Sequence, residues 1–104
     1  MKPDLDVIAR IKRHEADLRH MGVANLSIFG SRARGDYTSE SDIDVLIGWT
    51  SDAKLTSKYE RGMAELGISG TLSEITGLDV SLLERGKLSV KFADRISDDI
   101  VEVF

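Results

Sequence analysis

Apolar and polar positions along the chain fall into short blocks that switch between helical and strand spacing. Leu5, Ile8, Ile11, Leu18 and Met21 roughly follow one face of a helix. Pro3 followed by Asp4 marks its entrance, with Asp4 as N-cap, and Gly22 marks its end. Asn25–Phe29 then reads as a strand, and Ser31–Arg34 as one helical turn closed by Gly35. Tyr37–Ser41 is a polar loop. Asp42–Trp49 is a strand whose inner part is almost wholly apolar, which predicts a central place in a sheet.

The second half is less regular. Ser57–Glu60 and Thr71–Glu74 both match a capping box. They predict helices over Lys58–Leu66 and Leu72–Thr76, stopped at Gly67 and Gly77, with one longer broken helix as the alternative. Leu78–Leu83 is a third strand, and residues 84–87 form a turn. Leu88, Phe92, Ile96 and Ile100, spaced by four, suit a C-terminal helix; residues 100–104 alternatively make a short edge strand. Strands interleaved with helices predict an α/β or α+β fold, a small sheet flanked by helices.

Composition narrows the picture. A chain of 104 residues is the size of one domain, 1–104, with a modest core. There is no cysteine, hence no disulfide and no thiolate metal site. The N-terminal stretch is charged throughout, with neither a signal-peptide core nor a membrane span, so a cytoplasmic location is expected. The net charge of −4 makes a poor general binder of nucleic-acid backbones. Any phosphate contact has to be local or carried by a metal. So short a chain leaves room for a partner, a second copy or another protein, to complete a site.

The chemistry gathers between Gly30 and Asp44. Residues two apart on a strand share a face, so Asp42 and Asp44 project together while Ile43, Val45 and Ile47 point the other way. Adjacent carboxylates repel. A divalent cation reverses that, and Mg²⁺ takes carboxylate and phosphate oxygens together. Two such ions can activate an attacking hydroxyl and stabilise a leaving pyrophosphate. The Gly30–Ser31 step lies between a strand end and a helical turn, where free N–H groups can cradle phosphate and glycine permits close approach. Asp79, between Leu78 and Val80, is an odd acid for a buried strand and is a candidate third ligand or general base. The bland readings are a strand-start Asp42 paired with Arg32 or Arg34, a solvated Asp44, and Asp79 as a strand-cap acid.

Arg32 and Arg34 are candidates to steer a triphosphate, against an ordinary role as solvated residues. His14 and His20, six apart, share no helical face and read as surface residues. Trp49 and Phe29 read as core, Tyr37 and Tyr59 as packing, and Lys87 and Lys91 as a solvated face.

Gly30–Ser31, ten residues, then Asp42-x-Asp44 resembles the signature of the minimal nucleotidyltransferases, small members of the DNA polymerase β-like superfamily. The leading helix and the stretch Ile75–Leu83 fall in the matching order. The resemblance implies a mixed sheet flanked by helices. It implies Gly30 and Ser31 on the triphosphate of ATP, Asp42 and Asp44 on two Mg²⁺ ions, and Asp79 completing a triad. The implied reaction is in-line attack of an acceptor hydroxyl on an NTP α-phosphate. For a chain without a second domain, it further implies an antitoxin that adenylylates a HEPN-domain toxin. The competing expectations are a non-catalytic binding antitoxin and a transferase acting on small, aminoglycoside-like molecules.

Overall fold

Asp4 opens the first helix as the pattern predicts. In the computed structural model, which describes residues 2–51 and 57–104, α1 covers Leu5–Arg13, and Val7 N–H donates to Asp4 Oδ1 at 3.3 Å. The expected single helix is interrupted at His14, whose N–H donates to the Ile11 carbonyl three residues back, and α2 follows over Glu15–His20. Val7, Ile11 and Leu18 carry the buried stripe, whereas Leu5 and Met21 are exposed.

Gly22, at φ 101°, turns the chain into β1 (Val23–Phe29). The one-turn helix α3 spans Ser31–Arg34 and is closed by left-handed Gly35, as expected. β2 (Ile43–Trp49) runs antiparallel to β1. The two predicted helices of the second half are one continuous helix, α4, over Lys58–Thr76. Only the first capping box starts a helix: Glu60 N–H donates to Ser57 Oγ at 3.1 Å. Ile68 and Leu72, both fully buried, carry the helix through Gly67, because packing of an apolar face outweighs one glycine's cost of about 1 kcal/mol. Gly77 ends α4 in the left-handed region, as predicted.

α4 is the crossover that a parallel pair requires. It delivers β3 (Val80–Glu84) alongside β2, with Ile43 level with Val80. A 3-10 turn over Arg85–Lys87 leads to α5 (Val90–Ile96), shorter than the four-residue spacing from Leu88 to Ile100 suggested. Ser89 caps α5 by accepting from Phe92 N–H. Of the alternatives for the C-terminus, the edge strand forms: β4 (Val101–Glu102) pairs with β1.

The sheet order is β3-β2-β1-β4, mixed, with β2 and β1 interior. Alternation along β2 divides the core. Ile43, Val45 and Ile47 join the cluster that contains Val7, Ile11 and Leu18 from α1 and α2 and Ile68 and Leu72 from α4. Leu46 faces the other way, with Phe29, Ile96 and Phe92 under α5. Asp44, two residues before Leu46, lies on that second face near the sheet's end. Among the described residues no helix is long and apolar enough to cross a membrane.

Candidate active site

The pairing of β1 with β2 sets Phe29 level with Asp44, which brings Gly30 against the Asp44 side chain. Gly30 has φ 73° and ψ −157°, a region open essentially to glycine alone. A Cβ at this position would stand 2.1 Å from Asp44 Oδ2. Both requirements select glycine at one point, where the backbone meets a carboxylate. The Gly30 carbonyl accepts from Ala33 and Arg34 N–H at 3.1 and 3.0 Å, which starts α3. The N–H groups of Ser31 and Arg32, in the first turn, have no acceptor within the helix. We expect Gly30→Ala to lose about 1–3 kcal/mol from backbone strain alone, and more as Asp44 is displaced. Urea unfolding at wild-type stability would refute this account of the turn.

Asp44 is half-buried. Burial first, and then the charge of Asp42, push its carboxyl above the ordinary carboxylate range, while the Arg34 charge opposes the rise. The two acids therefore act on one another, as their shared face predicts. Arg34, whose charge opposes that rise, is itself tied to Asp36 at 3.4 Å and to Asp99 at 3.2 Å.

Arg32 stands elsewhere than expected. It is buried, and its guanidinium is already occupied: it donates to Asp4 Oδ2 at 2.6 Å, to the Ser41 carbonyl at 3.0 and 2.9 Å, and to the Thr38 carbonyl at 3.1 Å. The Tyr37 ring stacks on it, 4.8 Å from its centroid to the guanidinium carbon. Within the loop, Thr38 N–H donates to Ser41 Oγ at 2.9 Å. Arg32 thus staples the polar loop to α1 and fixes Ser41, the residue before Asp42. Its place in the sequence gave no sign of this, because its anchor lies 28 residues away.

Asp79 is exposed, one residue before β3, and its carbonyl accepts from Ile43 N–H at 2.9 Å. Asp42, Asp79 and Glu40 line one open cavity of about 260 Å³, with Ser39, Ser41, Gly77 and Leu78 completing its wall. Asp79 thus lines the same cavity as Asp42. Among the described residues, however, no three acidic, histidine or cysteine side chains converge tightly enough to form a ready-made metal centre. Glu40 went unnoticed in the sequence, where it is one polar residue in a polar loop.

The remaining expectations sort simply. Phe29 is buried and meets Phe92 edge-on at 6.1 Å. Trp49 donates from Nε1 to the buried Glu84 at 2.6 Å. Lys87 pairs with Glu84 at 3.1 Å. His14 and His20 contact backbone carbonyls one turn earlier in their helices.

Residues 11–103 match the nucleotidyltransferase domain. The chain belongs to this nucleotidyltransferase family. A Methanocaldococcus jannaschii protein, named as a candidate protein adenylyltransferase, is 33% identical over 90 residues, which is 83% of this chain and 84% of that protein. The protein adenylyltransferase MntA of Thermococcus cleftensis is 28% identical over 91 residues, 86% of this chain and 85% of its own. Among solved structures, a toxin–antitoxin complex with AMP-PNP aligns at TM-score 0.65 and 18% identity, over 91% of this chain and 72% of that one. A tri-AMPylated Shewanella oneidensis HEPN toxin in complex with its MNT antitoxin aligns at TM-score 0.57 and 16% identity, covering 89% of this chain and 68% of the other. These structures share this chain's fold.

Proposed function

We propose that this chain, as a single catalytic domain, transfers AMP from ATP to a hydroxyl of a protein partner, a HEPN-type toxin, and so acts as its antitoxin. The observation that carries the reading is the close approach of Gly30 to the Asp44 side chain, which brings the Gly30–Ser31 turn against one of the paired acids. The adenylyltransferase and antitoxin relatives supply its direction.

The donor set fits a hard divalent cation. Asp42 and Asp44 offer carboxylate oxygens on one face, and burial together with the Asp42 charge holds the Asp44 carboxyl above the ordinary range. Asp42 and Asp44 would hold Mg²⁺, with Asp79 completing the set from the far side of the cavity. Bound there, two such ions would supply charge neutralisation for the triphosphate and the attacking oxygen.

The chain's own groups do the positioning. Gly30 leaves room for the Asp44 carboxylate against the backbone, and the Ser31 N–H and hydroxyl would donate to a phosphate beside it. Arg34 adds positive charge that acts on Asp44. Asp79, exposed on the open cavity, would take the acceptor's proton. The acceptor oxygen bonds to the α-phosphorus as the bond to the β-phosphate oxygen breaks, and pyrophosphate leaves.

Incubation with ATP, Mg²⁺ and the HEPN-type protein that co-purifies from the host should add one or more AMP units to that protein by intact mass. An unmodified partner whose toxicity is neutralised without ATP would overturn the catalytic reading.

A further inference from the structure

The core-facing side of α4 is fully accounted for, but its outer side is not. Tyr59, Met63 and Leu66 are 76%, 54% and 70% exposed. Their spacing of four and three places them on one line of the helix, opposite Ile68 and Leu72. The line continues through Gly70 and ends at Gly77, where a Cβ would meet nothing within 4 Å in either case. An exposed apolar stripe of this kind on a charged helix marks an interaction surface.

Two observations say what covers it. First, the stripe leads to the proposed site. Gly77 is part of the wall of the cavity that holds Asp42 and Asp79. α4 is 19 residues long, about 28 Å at 1.5 Å per residue, so a partner lying along it extends from Tyr59 to the cavity mouth. Second, the border is acidic. The exposed Glu74 flanks the stripe near that end, and the exposed Glu40 continues the negative charge on the cavity wall, on a chain whose net charge is −4.

We infer that the outer face of α4 is the docking surface for the protein acceptor. The acceptor presents an apolar patch to Tyr59, Met63 and Leu66, and a Lys- or Arg-rich border to Glu74 and the cavity rim. This rests on the proposed function for the existence of a protein acceptor, and adds where it binds and with what chemistry. Docking along α4 gives the acceptor hydroxyl a fixed approach to Asp79. It also accounts for a large apolar surface that folding leaves wet.

The test is calorimetric binding of the co-purified HEPN-type protein, with AMP transfer followed in parallel by intact mass. Met63→Glu combined with Leu66→Glu should weaken binding by about tenfold or more, as loss of a central apolar anchor does, while its melting temperature stays near wild type because both side chains are exposed. Glu74→Lys should slow association at low salt, and that difference should fade as salt rises. Asp42→Asn combined with Asp44→Asn should bind normally without transferring AMP. Wild-type affinity in the stripe variant, or faster association of Glu74→Lys, overturns the docking surface even if transfer is intact. So does a free chain that is dimeric in wild type and monomeric in the stripe variant with unchanged partner affinity, since the face then belongs to a second copy. A wild type that binds through the stripe but transfers nothing upholds the surface and refutes the adenylylation reading instead. A wild type that binds no HEPN-type protein overturns the surface, while its intact-mass assay decides adenylylation separately.

Discussion

Asp42→Asn combined with Asp44→Asn should abolish AMP transfer, by at least about 10³-fold, and should at the same time make the metal-free protein harder to melt. The first effect follows from charge stabilisation: at 1.36 kcal/mol per tenfold, a loss of about 10³ is the several kcal/mol that a metal-bound phosphoryl centre supplies. The second follows from electrostatics without metal. Burial and the neighbouring Asp42 raise the folded carboxyl of Asp44. An acid whose folded pKa lies above its unfolded value costs stability when ionised. The metal-free wild type therefore gains stability from this group as pH falls through the raised pKa toward the unfolded value near 3.9. The asparagine variant, with nothing to protonate there, lacks that gain. Acids shifted the other way, such as Glu15 beside Arg19 and Lys12, contribute equally to both proteins, so the difference between the two melting curves isolates the pair. It should be largest at neutral pH and shrink in acid. Mg²⁺ with ATP should close the gap from the other side, raising the wild-type melting temperature by mass action and leaving the variant unmoved. A variant that melts below wild type at neutral pH without metal would refute the account of the acid pair as mutually repelling. Transfer at the wild-type rate would refute its catalytic role.

Much of this site is legible in the sequence, for a physical reason. Strand periodicity is strict, so the shared face of Asp42 and Asp44 follows once Ile43, Val45 and Ile47 are taken as core. Gly30 and Gly35 bracket a single helical turn, and both adopt the positive φ that their places demand. What stays hidden is set by contacts remote in sequence. The Thr71–Glu74 capping box is a sound local signal that loses to packing, because Ile68 and Leu72 need the helix to run unbroken beneath the sheet. Leu88 and Ile100 keep the four-residue spacing of a helix but join the α5 cluster from outside the helix, since burial there needs only the right face. Glu84 reads as part of a turn, yet it is buried with Trp49 donating to it. Asp79 lines the same cavity as Asp42 but lies exposed just outside β3 rather than within a strand from Leu78. Arg32 is the clearest case. Asp4 spends one carboxylate oxygen on its N-cap bond, and nothing nearby in sequence says where the other goes.

Arg32→Met should cost about 3–5 kcal/mol of stability, the scale for removing one partner of a buried ion pair. That is a fifth or more of the total for a domain of typical stability, about 5–15 kcal/mol. The Asp4 side chain is 8% exposed and the Arg32 side chain 6%, so truncation leaves a carboxylate without its cation and out of reach of water. It also strips donors from the carbonyls of Thr38 and Ser41. Lysine cannot substitute, since one ammonium does not span three acceptors that the planar guanidinium reaches together. Asp4→Asn should also destabilise, because an amide whose oxygen accepts from Val7 N–H turns a donor toward Arg32 and leaves the buried guanidinium without its carboxylate. Urea unfolding would show a lower midpoint at an unchanged slope. The same variant separates the two roles open to this arginine. A residue that gripped triphosphate would, when replaced, weaken ATP binding and leave the unfolding midpoint nearly in place. A staple does the reverse: the midpoint falls steeply. Because Ser41 carries Asp42, transfer measured well below the variant's melting temperature falls through misplaced carboxylates, while affinity for ATP without metal is nearly retained. Loss of metal-free ATP affinity with the midpoint intact would return Arg32 to the phosphate and leave the polar loop without its anchor.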